Sequence, residues 1–171
     1  MMKSRILVAL LLLFTLCSCQ ASENEGEKLK AQLKETKKCP GCELNSVDLT
    51  GTDLTGADLS GAKLNDANLS GVKLNNANLS GAFLDSAKLN DANLSGANLS
   101  AAGLATANLK SANLTGANLS SAYLKGADLT GSVLNNANLK EADLSTAKLE
   151  GAKLEGANLS GAIMPDGSIK K

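Results

Sequence analysis

Histidine and tryptophan are absent from this 171-residue chain, and its only arginine is Arg5. Without histidine there is no imidazole to ligate zinc, to follow a cysteine pair as a haem ligand, or to act in catalysis. Without arginine beyond Arg5, bidentate contacts to bases or phosphates are missing, which disfavours direct nucleic-acid binding. Aromatic residues make up 2% of the chain, so a core built on Phe, Tyr and Trp is excluded. Charge of one sign is lacking too: 17 basic residues face 17 acidic ones, and no large single-sign patch is expected. What remains is a 43% hydrophobic content supplied mainly by Leu and Ala, in a chain of single-domain length.

The first residues carry Lys3 and Arg5, then the run Ile6 to Leu16, ILVALLLLFTL. As a helix this run spans about 16 Å, short of the roughly 30 Å hydrocarbon core of a bilayer. It fits the apolar segment of a secretory signal. The following Leu16-Cys17-Ser18-Cys19 resembles the bacterial lipobox, with Leu three residues before the cysteine and a small residue directly before it. That resemblance implies removal of residues 1–18 and lipidation of Cys19. Cys17 fits less well, because Phe14 would hold the leucine position and Leu16 the small one. Several acyl chains anchor firmly where one binds marginally. Gln20 stands where an Asp commonly signals inner-membrane retention, so the expected address is the outer membrane if the host is Gram-negative.

Residues 19–38 read as a tether. Ser22 and Glu25 match a capping box, and Leu29 and Leu33 share a helical face at i, i+4. A short helix is expected over about residues 24–37, acting as a spacer or as a lid. Cys39-Pro40-Gly41-Cys42 then forms a CxxC. A zinc site would need about four ligands, haem attachment a histidine where Glu43 stands, and a redox motif a nearby βαβ unit. A disulfide and a pair of free thiols remain, and export favours the disulfide.

From Leu44 to Leu159 a leucine falls at every fifth position, 24 times in succession, and Met164 extends the series. Two residues before each leucine stands a small side chain, usually Ala. The residue between is often Asn or Asp; Ser, Thr or Asn follows the leucine, and often Gly after that. ANLSG recurs at residues 67–71, 77–81, 92–96 and 157–161. On an α-helix five residues turn about 500°, so the leucines would drift round every side. On a straight strand an odd spacing alternates faces. The chain must therefore bend once per repeat, with Ala and Leu facing inward from a short extended piece and Ser-Gly chemistry at the corner. With corners of about 90°, four repeats close one coil of 20 residues.

The residues preceding the leucines support that period. One column spaced by 20 reads Asp58, Asn78, Asn98, Asn118, Asn138, Asn158; another reads Glu43, Lys63, Phe83, Gly103, Tyr123, Asp143, Ile163. The first predicts a ladder of stacked amides.

With these repeats the chain resembles the pentapeptide-repeat proteins, the A(D/N)LXX family, from Cys42 to about Asp166. The resemblance implies an all-β fold, a right-handed quadrilateral parallel β-helix of about six coils, with Leu and Ala stacked inside. A short N-terminal helix precedes it, giving the layout 1–18 signal, 19–38 tether, 39–166 β-helix and 167–171 tail. The ends of such a rod need covers, for which the residue 24–37 segment and Pro165 onward are candidates. Some members of the family imitate DNA and occupy DNA gyrase, which makes a topoisomerase-binding mimic the alternative function. That role needs a continuous acidic surface. Glu43, Asp48, Asp53 and Asp58 make an acidic first coil, but lysines interrupt it afterwards, 12 acids against 8 lysines from Glu43 to Met164.

No cofactor, metal site or enzymatic activity is expected. The Ser and Asp side chains occupy outward positions that the repeat dictates. Phe83, Gly103, Tyr123 and Ile163 share one outward column, and Phe83 and Tyr123 are the rod's two aromatic residues. They form the candidate partner face, because exposed aromatics on a rigid surface serve as anchors. The expected function is a rigid scaffold or protein-interaction module held at a bacterial membrane through Cys19.

Overall fold

The computed structural model describes residues 17–171. The proposed export segment, residues 1–18, falls almost wholly outside the described residues, and so does the side chain of Cys19.

Helix α1 spans Cys17–Thr36, longer at its start than the 24–37 segment read from the sequence. In the added stretch, residues 17–23, Gln20, Ala21 and Glu23 favour helix; its polarity speaks for solvation rather than against regular structure. Leu33 is fully buried and Leu29 partly so, both packed on the apolar core of the rod that follows. Helix α1 therefore closes one end of that core. It stops at Lys37, whose backbone is left-handed (φ 58°) and whose N–H reaches Leu33 O at 2.9 Å, a common helix ending.

From Lys38 onward each bridging residue pairs in parallel with the residue 20 positions later, Lys38 with Asp58 and so on to Asp143 with Ile163. Four flat faces result, and each pentapeptide contributes one bridge to one face. The sheets are thus ladders of single bridges rather than extended strands, because the chain turns again before a second residue can pair.

One repeat shows how the backbone is satisfied. Asp58 N–H donates to Lys37 O at 2.8 Å, Leu59 N–H to Asn78 O at 2.7 Å and Gly61 N–H to Ser80 O at 2.9 Å. Ala62 N–H turns back to Leu59 O at 3.0 Å, and Ser60 N–H donates to Asp58 Oδ1 at 3.1 Å. All five donors are placed, as burial requires. Where Asn or Asp precedes the leucine, its side chain therefore closes an Asx turn over it, which explains the recurrent Asn and Asp.

At every corner from Gly41 to Gly161 the second residue after the Leu position has positive φ, between 54° and 74°. The third residue of a four-residue turn in that region is the type II pattern. Glycine suits it, and Asn and Asp tolerate it. Ala101 and the β-branched Thr106 and Thr146 occupy it as well, at a steric cost.

Every leucine from Leu44 to Leu144 is 0–1% exposed, with the alanines beside them in one continuous core. Each buried leucine contributes about 1.5–3 kcal/mol, offset by chain ordering. Ser132, which replaces an alanine, is fully buried and donates to Leu129 O at 2.7 Å. The amide column forms the expected ladder: Asn98, Asn118, Asn138 and Asn158 each donate to the preceding coil's Oδ1 at 3.1–3.4 Å.

Residues 167–171 do not stand apart from the rod as a tail. Ile169 pairs antiparallel with Ile163, Gly161 N–H donates to Lys170 O at 2.7 Å, and Lys170 N–H to Ala162 O at 3.0 Å. This return covers one side only. Leu149, Leu154, Leu159 and Met164 remain partly exposed at that end.

Candidate interaction face

Cys39 occupies a position five residues before Leu44 and is 1% exposed, so it fills a leucine slot; Cys42 fills the following alanine slot and packs against the core. Their sulfurs lie 2.00 Å apart across the first corner, with Cα atoms 5.4 Å apart. The leucine periodicity, counted only from Leu44, does not single Cys39 out as a core plug. Extending the five-residue register backward by one step does.

Six of the aspartates accept from the residue two positions on, by its hydroxyl and its N–H. Asp48, Asp58, Asp128, Asp143 and Asp166 are held below the usual aspartate range, first by hydroxyl donors from the residue two positions on. Asp53 is lowered first by Thr55 N–H and then by the Thr55 hydroxyl. Such groups are ionised acceptors, not acids poised to donate. Asp128 also receives Lys110 at 3.3 Å and Lys148 at 3.7 Å, and Glu43 receives Lys63 at 2.5 Å. In the acidic first coil Glu43 and Asp53 are thus paired with Lys63 and Lys37, while Asp48 and Asp58 have no ion pair among the described residues. A cleft between α1 and this coil is lined by Glu27, Glu43 and Asp48; no metal-ligating group of three occurs among the described residues.

The column of Phe83, Gly103, Tyr123 and Asp143 bridges without a break. Phe83 is 49% exposed and Tyr123 45% exposed. Their backbones stand two coils apart, about 9.6 Å at the strand spacing. Ile163 lies in the same column but is half-buried; Ile169 pairs with it and is 67% exposed in its stead. Of the four residues of the candidate face, Phe83 and Tyr123 are thus exposed with Gly103 between them in the column, while Ile163 lies at the rod's end.

Neither Phe83 nor Gly103 can close an Asx turn. On this face the following N–H is instead met from the neighbouring coil: Asn45 Oδ1 accepts from Asn65 N–H at 3.2 Å, Asn65 Oδ1 from Asp85 N–H at 3.1 Å and Asp85 Oδ1 from Ala105 N–H at 2.8 Å. Losing the acceptor before the leucine is what frees these outward positions for other side chains. The sequence signal for Asn65 and Asp85 is an Asx residue one coil ahead of each uncapped corner.

The family model for pentapeptide repeats matches the chain in 8 copies, over residues 42–81, 67–104 and 127–165. No curated protein matches it. Among solved structures, a pentapeptide-repeat protein of the Arabidopsis thaliana thylakoid lumen is similar, at 32% identity and a TM-score of 0.58, over 63% of this chain and 73% of that one. A trypsin-treated form of QnrB1, a plasmid-mediated fluoroquinolone resistance protein, is similar in fold at 21% identity and a TM-score of 0.59, over 74% of this chain and 69% of that one.

Proposed function

We propose a function that proceeds from one premise: this chain belongs to the pentapeptide-repeat family. It is a rigid scaffold for protein interaction, tethered to a bacterial envelope membrane through lipidated Cys19. The observation that carries the interaction reading is the pair Phe83 and Tyr123, half-exposed on one column of a rod whose interior is packed throughout. Two large side chains held on a rigid ladder bind without a backbone ordering cost on their own side. The Leu16-Cys17-Ser18-Cys19 sequence supports the tether, and α1 joins it to the rod.

Two experiments test the parts separately. Cell fractionation should recover the chain in membranes, and Cys19→Ala should abolish labelling by radioactive fatty acid. Persistent label would remove the tether. Recovery in the soluble cytoplasmic fraction would favour the DNA-mimic alternative. Pull-down from detergent-solubilised envelopes should lose its partner when Phe83 and Tyr123 are both replaced by Asn, with the melting curve unchanged. Undiminished capture would remove the interaction face.

A further inference from the structure

We propose that the rod lies along the membrane on the edge that runs from Ser46 to Thr146, with Phe83, Tyr123 and Ile169 resting in the headgroup region. The inference rests on the tether reading for where the membrane is, and it names what the aromatic column meets there: a lipid surface.

The path of α1 sets the orientation. Corners follow one another at Ser46, Gly51, Gly56 and Gly61, so those at Ser46 and Gly56 are diagonal. Helix α1 ends above the Gly56 corner: Lys37 O accepts from Asp58 N–H, Lys38 bridges to Asp58, and the Lys37 ammonium lies 3.5 Å from Asp53. Nearer its middle, Gly26 and Glu27 line a cleft with Glu43, Ser46 and Asp48, at the other corner. Leu29 and Leu33 pack on the core between these points. The helix therefore crosses the end of the rod diagonally, and its first turns overhang the Ser46 corner. Cys19 precedes Gly26 by seven residues, about 10 Å of helix. A lipid on Cys19 thus brings the membrane to this edge, along the rod's side and not at its tip.

The exposed apolar side chains lie on a face that borders the same edge. Among the described residues the large hydrophobic side chains left exposed are Phe83, Tyr123 and Ile169. All three belong to one ladder, because Phe83, Gly103, Tyr123, Asp143 and Ile163 bridge in turn and Ile169 pairs with Ile163. The other three faces carry none of them. The edge itself is polar: Ser46, Asp66, Ser86, Thr106 and Thr146 take its corners beside Gly126, where the other edges hold glycine at most corners. An aromatic and aliphatic line beside a polar rim matches the boundary between acyl chains and headgroups.

Charge on this face is mixed. Lys63 is paired with Glu43 at 2.5 Å, and Lys125 stands against Asp85 and Asp143. The seat is apolar and makes no demand for anionic lipid. Once Cys19 is anchored, the column needs little affinity of its own, since the tether keeps it at high local concentration beside the bilayer. In an intact membrane lipid covers the column; in detergent the same side chains are free for a protein, which is where capture tests them.

The chain has one tyrosine and no tryptophan, so tyrosine emission reports from Tyr123. The lipidated chain, reconstituted in phosphatidylcholine vesicles with a nitroxide on the headgroup, should be quenched. Tyr123→Phe combined with Asn113→Tyr moves the tyrosine to an exposed position on the opposite face, in a ladder that already accepts Val133. Its quenching should be about twofold lower or less. Phe83→Asn with Ile169→Asn should lower the quenching of Tyr123 by about twofold as well, with the melt in detergent unchanged. Anionic lipid or added salt should leave it as it was. Equal quenching on the two faces, quenching that requires anionic lipid, or no effect of the double Asn variant overturns the proposal. So does a vesicle-bound chain whose Tyr123 is unquenched; if that chain still captures protein through the aromatic pair, the face belongs to protein and the tether stands. A chain that does not float with vesicles lacks the tether, and the seat falls with it.

Discussion

One carboxylate oxygen of Asp58 accepts both the N–H of Ser60, at 3.1 Å, and its hydroxyl, at 2.8 Å. The same residue pair, separated by one leucine, recurs as Asp48 with Thr50 and Asp166 with Ser168. It is an Asx turn reinforced by a side chain, and it favours the ionised aspartate. The acid limb of stability follows from it. The folded pKa lies below the ordinary value of 3.8, so the contribution is fully present above about pH 3.8 and is lost as pH falls through the lowered folded value. Thermal melts recorded from neutral to acid pH should hold level to near that value and then decline. Asp58→Asn, which continues the amide ladder, should fold and show a smaller decline; an equal one would count against this origin.

Leu99 lies mid-rod and is 1% exposed. Truncation to Ala should cost about 2–5 kcal/mol, read from denaturant unfolding. Leu99→Asp should unfold the neighbouring coils, since each coil is supported only by those next to it. The far-ultraviolet circular dichroism should then lose its β signal.

Corner residues offer the opposite sign. Ala101 and Thr106 sit at φ 54° and 57°, a left-handed conformation that costs an L-residue about 1–2 kcal/mol. Glycine removes that cost but adds unfolded-chain entropy, about 0.4–1 kcal/mol. Ala101→Gly and Thr106→Gly should therefore stabilise by up to about 1 kcal/mol in the same assay. Gly96→Val should destabilise, because its φ is +65° and a Cβ would stand 2.5 Å from Asn76 Oδ1.

Cys39 and Cys42 occupy a leucine slot and an alanine slot, and each is packed with the core. Alkylation under denaturing conditions should add no mass at this pair until a reductant is present. The double change Cys39→Leu with Cys42→Ala should restore the ordinary repeat and keep the melting temperature within a few degrees. A large drop would show that the covalent link, rather than plug packing, holds the first corner.

Leu33 is the buried contact by which α1 covers the first coil. Leu33→Asp should release the helix, lower the melting temperature and make the stretch before Lys38 more sensitive to protease. Unchanged proteolysis would mean that the rod's end does not depend on α1.

Sequence alone determined the coil. Leucine at every fifth position, a small residue two before it and corner residues after it are local requirements, set by side-chain alternation and backbone sterics within one repeat. Even the amide ladder was legible, because a period of 20 follows once each corner turns about 90° and the columns can be sorted on paper. The tertiary structure decided what depends on a neighbour one coil away. That Ala105 N–H is met by Asp85 and not by Gly103 is such a case. That Gly103 serves no corner, that Cys39 is a core plug, that Ile163 is covered by Ile169, and that α1 begins at Cys17 are others. Each is a contact between residues whose sequence spacing carries no fixed geometry until the coils are stacked, and stacking is the long-range event that a repeat implies but does not spell out.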